Sequence, residues 1–201
     1  MCLLPDVCSA STSPPTSQFR STATVVAPSG FAKEFRTAAI REVGVREVGG
    51  NNRGKRVEEY LASTGNRAGE PYCQAFVYCI ASEVSRKLQC ANLIPRTALA
   101  SAARYGLQKT AQAQTKNYAK PQPEPPRTAL VYWQYPRKAS GHVDVAVQAL
   151  GGGWVRCVSA NSGRSGTARD GTGSTAGVNM TTRNTNHPLG RMHLRAIIGI
   201  A

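Results

Sequence analysis

The chain has 201 residues, of which 41% are hydrophobic, and this length suits one domain with a substantial core rather than two large domains. No run of about 18 apolar residues occurs, so no transmembrane helix is expected. Lys and Arg number 25 and Asp and Glu 11, which gives a net charge of +14 and favours anionic partners such as nucleic acid, an anionic cell envelope or acidic lipid. Because the cations are scattered and aromatic residues make up only 6%, we expect no specific recognition of nucleic acid.

The first thirty residues differ in composition from the rest of the chain. Residues 1–30 are rich in Ser, Thr and Pro and offer little apolar surface, so we expect a flexible tail there and a folded domain over 31–201. No basic residue precedes the short apolar "CLL", and Asp6 interrupts it, which makes a poor signal peptide. The composition therefore assigns the protein to no compartment.

Apolar residues at helical spacing predict four helices in the first half of the domain. They are expected near residues 31–48, 55–64, 71–89 and 96–108. Proline suits the first position of the third helix. A proline-rich connector over 119–127 follows, and no regular structure is expected in it.

After the connector the apolar residues alternate with period two, which is typical of strands. Five strands are predicted, over residues 128–135, 142–150, 154–161, 177–184 and 193–200. Glycines between the second and third strands predict a hairpin turn, and the Gly-, Ser- and Thr-rich residues 162–175 predict a mobile loop. Helices that precede adjacent strands are typical of an α+β domain, so we expect N-terminal helices packed on an antiparallel β-sheet.

The six cysteines do not suggest disulfides within the helical region. Cys73, Cys79 and Cys90 fall on one predicted helix, where the rise of about 1.5 Å per residue separates them too far for a bridge. No C-x-x-C pair occurs, so we expect neither a metal site nor a cofactor. Cys73 is therefore expected to be a free thiol.

Cys73 lies in the first turn of its predicted helix, at the edge of the apolar face. Unpaired backbone N–H groups and the helix dipole favour a thiolate there, and the thiolate is the form that attacks carbonyls. Of the three histidines, His142 begins a predicted strand, where a general base could meet this nucleophile. His187 and His193 are expected to be surface or packing residues. Composition alone also allows a purely structural cysteine, and that alternative stays open.

Several segments share a pattern with one enzyme family: "EVGVREVGGNNRGKRVEEYLASTGNRAGEPYCQAFV", "SGHVDVAVQAL", "VSANSG" and "GVNMTTR…AIIGI". Together they resemble the CHAP family of cysteine, histidine-dependent amidohydrolases/peptidases, within the papain-like NlpC-type superfamily, and especially its phage-type and bacterial wall-hydrolase members. The resemblance covers about residues 38–201. It implies a papain-like fold and thiol-dependent attack on an amide bond, usually in peptidoglycan. Matched position by position, it implies Cys73 as nucleophile, His142 as general base and then acid, and Asn161 as the group that orients the imidazole.

The chain departs from the family pattern beside these residues. Tyr72 stands where Trp is usual and Gln74 where a small residue is usual, so both changes are expected to reshape the substrate cleft. Arg127-Thr128 stand where Gly-Asp is common before the first strand. None of these departures removes a catalytic group, and we place Tyr72, Gln74 and Asp144 at the substrate cleft.

The register of the predicted hairpin decides whether Asn161 or Asp144 orients His142. With a four-residue loop over 150–153, Asn161 lies directly opposite His142 on the same face, with β-carbons about 5 Å apart. Asp144 shares that face but lies two residues along the strand, roughly 6.5 Å away. We therefore expect Asn161 to orient the imidazole and Asp144 to support it or to face the substrate.

These observations favour an amidase or endopeptidase of bacterial cell-wall peptides. Its expected partner is peptidoglycan or another anionic envelope polymer, and its expected state is a monomer. Two alternatives remain: a non-catalytic basic binding protein with the same fold, and a thiol amidohydrolase that acts on another amide. A depressed thiol pKa would support an enzyme, and an ordinary thiol pKa would support the binding protein.

Overall fold

A computed structural model describes residues 23–117, 128–163 and 176–201. The helices in these residues are α1 (Phe31–Arg41), α2 (Lys55–Thr64), α3 (Cys73–Leu88) and α4 (Ala100–Asn117). The strands are β1 (Ala23–Val25), β2 (Thr128–Gln134), β3 (Gly141–Gly151), β4 (Trp154–Ser162), β5 (Gly177–Asn184) and β6 (His193–Ile200). This arrangement confirms the predicted α+β class. None of the described helices is both long enough and apolar enough to cross a membrane.

The helices follow the predicted pattern except at the end of α1 and at both ends of α4, which begins at Ala100 rather than near residue 96. Helix α1 ends at Arg41, earlier than the predicted end at residue 48. The chain beyond it is drawn to the sheet, where the N–H of Gly44 donates to the carbonyl of Val178 at 3.0 Å. Helix α4 runs past the predicted end at residue 108 as far as Asn117, through Ala- and Gln-rich sequence that favours helix. Tertiary pairing shortened one helix, and local propensity lengthened the other.

The sheet is mixed rather than purely antiparallel, which corrects the prediction. Its strand order is β1-β6-β2-β3-β4-β5, and every neighbouring pair is antiparallel except β1 and β6, which run parallel. Strand β1 comes from the predicted tail and covers the backbone of β6, an edge that would otherwise present unpaired N–H and C=O groups. Val25 in this strand is buried. The folded domain therefore includes residues 23–30.

Part of the sequence predictions falls on segments that the structure does not describe. These segments are residues 1–22 of the predicted tail, the predicted connector over 119–127 and residues 164–175 of the predicted loop.

The larger core lies between the helices and one face of the sheet. Helix α3 contributes the predicted apolar face to this core, and the buried members of that face are Cys73, Phe76, Val77, Ile80 and Val84. It contacts α1 and α2 on one side and strands β3 and β4 on the other. Because its first turn meets the beginning of β3, the packing of this core brings the thiol of Cys73 to the sheet.

The hairpin between β3 and β4 combines the predicted register with a tighter turn. Asp144 pairs with Ser159 and Val145 with Val158, as the predicted register requires. Irregularities nearer the turn then pair Gly151 with Trp154, so the loop contains two residues, Gly152 and Gly153, instead of four. Both have positive φ, which two-residue hairpin turns demand and glycine accepts without strain.

Candidate active site

Cys73 is the first residue of α3, and its thiol is almost fully buried, with 4% of the residue exposed. The imidazole of His142 and the backbone N–H groups of Val143 and Gln74 favour the ionised form of the sulfur. Burial alone would raise the pKa of the thiol, but the hydrogen bond and positive charge of His142 outweigh it and lower that pKa. Cys73 therefore combines a place in the first helical turn with a lowered pKa that is due chiefly to His142.

His142 is the second residue of β3, and its ring is held from the side away from Cys73. Its Nε2 lies 3.0 Å from Oδ1 of Asp144 and 3.0 Å from Oγ of Ser159. Because these contacts occupy Nε2, Nδ1 is the nitrogen left to face the thiol. Burial would lower the pKa of His142, but the charge and hydrogen bond of Asp144 outweigh it and raise that pKa well above its ordinary value.

Asp144 is fully buried and bonded through both oxygens. Oδ1 contacts His142, and Oδ2 accepts from Nε1 of Trp133 at 2.9 Å and from Nε of Arg183 at 3.1 Å. Burial would raise the pKa of this carboxyl, but the charges of His142 and Arg183 outweigh it and hold the pKa well below its usual range. Asp144 is therefore ionised when it contacts the imidazole.

Ser159 completes a closed group of polar side chains around the carboxylate. Its hydroxyl lies 3.0 Å from Nε2 of His142 and accepts from Nη2 of Arg183 at 3.1 Å. The sequence predictions missed Ser159, Arg183 and Trp133. The hairpin register already paired Asp144 with Ser159, and a buried carboxylate on the face of a sheet requires donors from neighbouring strands. That requirement is the signal that could have indicated all three.

The prediction that Asn161 orients the imidazole is corrected. Among the described residues, the side chains that hydrogen-bond His142 are those of Asp144 and Ser159. Asn161 has a left-handed backbone with φ of 56°. The β4–β5 pairing is also irregular just before it. Since regular alternation of side chains requires extended backbone, Asn161 departs from the position that the register predicts.

The three residues assigned to the substrate cleft are all fully buried. The hydroxyl of Tyr72 donates to Glu47 at 3.2 Å, and Oε1 of Gln74 accepts from the hydroxyl of Tyr132 at 3.4 Å. Asp144 faces His142 rather than an open surface. Tyr72 and Gln74 flank Cys73 in the chain, and Asp144 holds the imidazole of His142.

The remaining cysteines and histidines lack this environment. Cys79, Cys90 and Cys157 are free thiols like Cys73. Burial, together with Glu83, raises the pKa of Cys79 to about 11, and burial likewise raises the pKa of Cys157. His187 and His193 are exposed. Of the described cysteines, Cys73 alone combines burial with a lowered pKa.

Comparisons with protein-family models, with curated proteins and with solved structures found no match to this chain. What the site can do chemically therefore follows from its own geometry. Among the described residues, no group of three or more His, Cys, Asp or Glu side chains is placed to hold a metal ion. A carboxylate holds the imidazole, and a thiol beside such an imidazole can form a thiolate–imidazolium pair. In this pair the thiolate is the nucleophile and the imidazolium is the proton donor.

Proposed function

We propose that the protein is a cysteine amidohydrolase or peptidase that cleaves amide bonds in bacterial peptidoglycan, with Cys73 as nucleophile and His142 as general base and then acid. The observation that carries this proposal is the imidazole of His142, which lies 3.0 Å from both Asp144 and Ser159 and whose charge lowers the pKa of the Cys73 thiol. The helix with the thiol packs on strands that carry the histidine, which supports a papain-like arrangement.

The reaction begins with the thiolate of Cys73 and the imidazolium of His142. The sulfur attacks the amide carbonyl and forms a tetrahedral intermediate. As the C–N bond breaks, the imidazolium donates its proton to the leaving amine and a thioester remains. Neutral His142 then takes a proton from water, the hydroxide adds to the thioester, and its collapse releases a carboxylate and restores the pair.

The first turn of α3 supplies the donors that the tetrahedral oxyanion needs. The leading N–H groups of a helix have no acceptor within that helix, and here the leading residue is the nucleophile itself. Tyr72, at the N-cap, makes no side-chain capping bond, so it does not take up these donors. Donors fixed before the reaction stabilise developing charge without reorganisation, and removing one such donor typically costs about a hundredfold to a thousandfold in kcat.

The charge of the chain supports an anionic polymer as the substrate. A net charge of +14 concentrates the protein on an anionic envelope, and salt weakens that attraction. Peptidoglycan combines amide bonds with anionic groups, so one polymer meets both the chemistry of the site and the charge of the surface.

Purified peptidoglycan provides the direct test. The wild-type protein is incubated with it, and the new amino and carboxyl termini are identified by mass spectrometry. We expect new termini with wild type and with Cys79→Ala, which removes a thiol whose pKa is raised, and none with Cys73→Ala. Sedimentation of Cys73→Ala with peptidoglycan, without any cleavage by wild type, would favour the binding protein. Cleavage of casein or side-chain amides alone would favour a thiol amidohydrolase with another substrate.

A further inference from the structure

Arg104, on α4, is a buried cation without an acidic partner. Only 8% of the residue is exposed. Its Nη1 donates to Oε1 of Gln108 at 3.1 Å, and its guanidinium lies 4.1 Å from the ring centroid of Tyr105. Among the residues that the structure describes, no carboxylate forms an ion pair with it.

Two other partly buried arginines among the described residues are paired with acids. Arg56 binds three glutamates, and Arg183 binds Asp144. Taking a charge out of water is costly unless a partner of opposite charge compensates it. Arg104 has only a neutral amide and an aromatic ring for this purpose, so its guanidinium retains the capacity to bind an anion.

Arg104 belongs to the same neighbourhood as the nucleophile. The hydroxyl of Tyr132 lies within electrostatic reach of both Arg104 and Cys73. The same hydroxyl donates to Gln74, which follows Cys73 in the chain. Helix α4 also contacts strands β2 and β3, which carry Tyr132 and His142. The guanidinium and the reacting thiol therefore share Tyr132 as a common neighbour.

A second unpaired group in this neighbourhood indicates a ligand independently. Gln74 is fully buried, and its Nε2 has no hydrogen-bond partner. Buried polar groups are nearly always paired, so an orphaned amide beside a nucleophile marks a place where a bound molecule can supply the missing contact. A carboxylate has acceptor oxygens for both a guanidinium and an amide.

We propose that Arg104 and Gln74 form a subsite for a carboxylate of the substrate, so the preferred substrates carry a free carboxylate close to the scissile amide. That the bound molecule is a substrate rests on the proposed function. Binding of a carboxylate at this subsite does not require hydrolysis. The planar guanidinium can bind both oxygens of a carboxylate, which a carboxamide cannot match. Amidation of that carboxyl group would therefore weaken binding.

The test measures how well small peptides protect Cys73 from iodoacetamide, with the labelled peptide quantified by mass spectrometry. The probes are N-acetylated tripeptide amides with one glutamate at the first, second or third position, each compared with its glutamine counterpart. We expect a glutamate peptide to protect wild type at about tenfold lower concentration than its counterpart. If the enzyme cleaves a glutamate peptide or its glutamine counterpart during labelling, the KM values of those two peptides are compared instead.

Arg104→Gln should abolish the preference for glutamate. If that variant melts at too low a temperature to study, Arg104→Met, which keeps the apolar stem, replaces it and should have the same effect. The matched control is Lys109→Gln, an exposed cation on the same helix whose loss changes the net charge equally and should leave the preference intact. Equal protection by all glutamate and glutamine pairs in wild type, or a preference that survives the loss of Arg104, would overturn the subsite. A glutamate preference without cleavage of any peptide or of peptidoglycan would instead reject the proposed function and retain the subsite.

Discussion

Arg183 donates from Nε to Oδ2 of Asp144 at 3.1 Å, and that oxygen is the one that does not contact His142. Trp133 donates to the same oxygen, and Ser159 links the guanidinium to Nε2 of the imidazole. Oδ2 is therefore held by groups from β2 and β5, whereas Oδ1 contacts His142 on the same strand. The orientation of the histidine depends on the whole sheet rather than on its own strand.

Arg183→Ala should lower kcat about tenfold to a hundredfold, because the carboxylate and the imidazole lose part of their fixed geometry. It should also move the descending limb of the pH profile upward, since removing a nearby cation stabilises the protonated form of His142. Arg156→Ala is the matched control, as Arg156 is an exposed arginine on β4, the strand next to Arg183. If Arg183→Ala lowers the stability of the fold but leaves the pH profile of kcat unchanged, Arg183 has only a structural role.

Asp144→Asn should lower kcat about a hundredfold to ten-thousandfold, because an amide neither stabilises the imidazolium nor selects its tautomer. Asn161→Gly should have a much smaller effect. Glycine is the suitable replacement there because the backbone has φ of 56°. Steady-state kinetics of both variants on one substrate measures the difference, and the reverse order of effects would restore Asn161 as the orienting group.

Asp144 should also make the stability of the protein depend on pH. The folded state lowers the pKa of this carboxyl, so its ion pairs stabilise the fold above the ordinary pKa of about 3.9. That stabilisation is lost as the pH falls through the lower folded value. Thermal melts from pH 7 downward should show a gap between wild type and Asp144→Asn that narrows below about pH 4. A constant gap would show that the charge of Asp144 contributes nothing.

The thiol of Cys73 should react as a thiolate below the ordinary pKa of about 8.5. The rate of alkylation by iodoacetamide as a function of pH measures this value. His142→Ala should move the midpoint above the ordinary value, because burial remains when the positive charge is gone. Cys79 is an internal control, since its pKa of about 11 should keep it unlabelled at pH 7. The same midpoint in wild type and His142→Ala would disprove the ion pair.

Strand β1 should contribute to stability although it contains three residues. A chain that begins at Phe31 loses the buried Val25 and the pairing with β6, whereas a chain that begins at Ala23 keeps both. Burial of one such side chain contributes about 2–3 kcal/mol, which for a domain of this size corresponds to a fall of about 4–12 °C in melting temperature. Calorimetry of the two chains measures the difference. Equal melting temperatures would show that β1 adds nothing to the fold.

The sequence by itself determined the elements whose pattern is local. Helix α2 and strands β5 and β6 have the bounds that periodicity predicts, because side-chain spacing along a helix or strand is a property of neighbouring residues. The places of Cys73 in a first helical turn and of His142 at a strand start follow from the same local pattern. Their chemistry could therefore be anticipated before the fold was known.

Tertiary structure alone decided which groups complete the site and where the domain begins. Asp144 displaced Asn161 as the partner of His142 because bulges and a left-handed residue alter the end of β4, and neither has a periodic signal. Arg183 meets Asp144 only because β5 lies beside β4, and β1 is a strand only because the edge of β6 is available to it. Such contacts join residues far apart in the chain, and their free energy depends on burial and on hydrogen-bond partners that form only when the sheet is assembled.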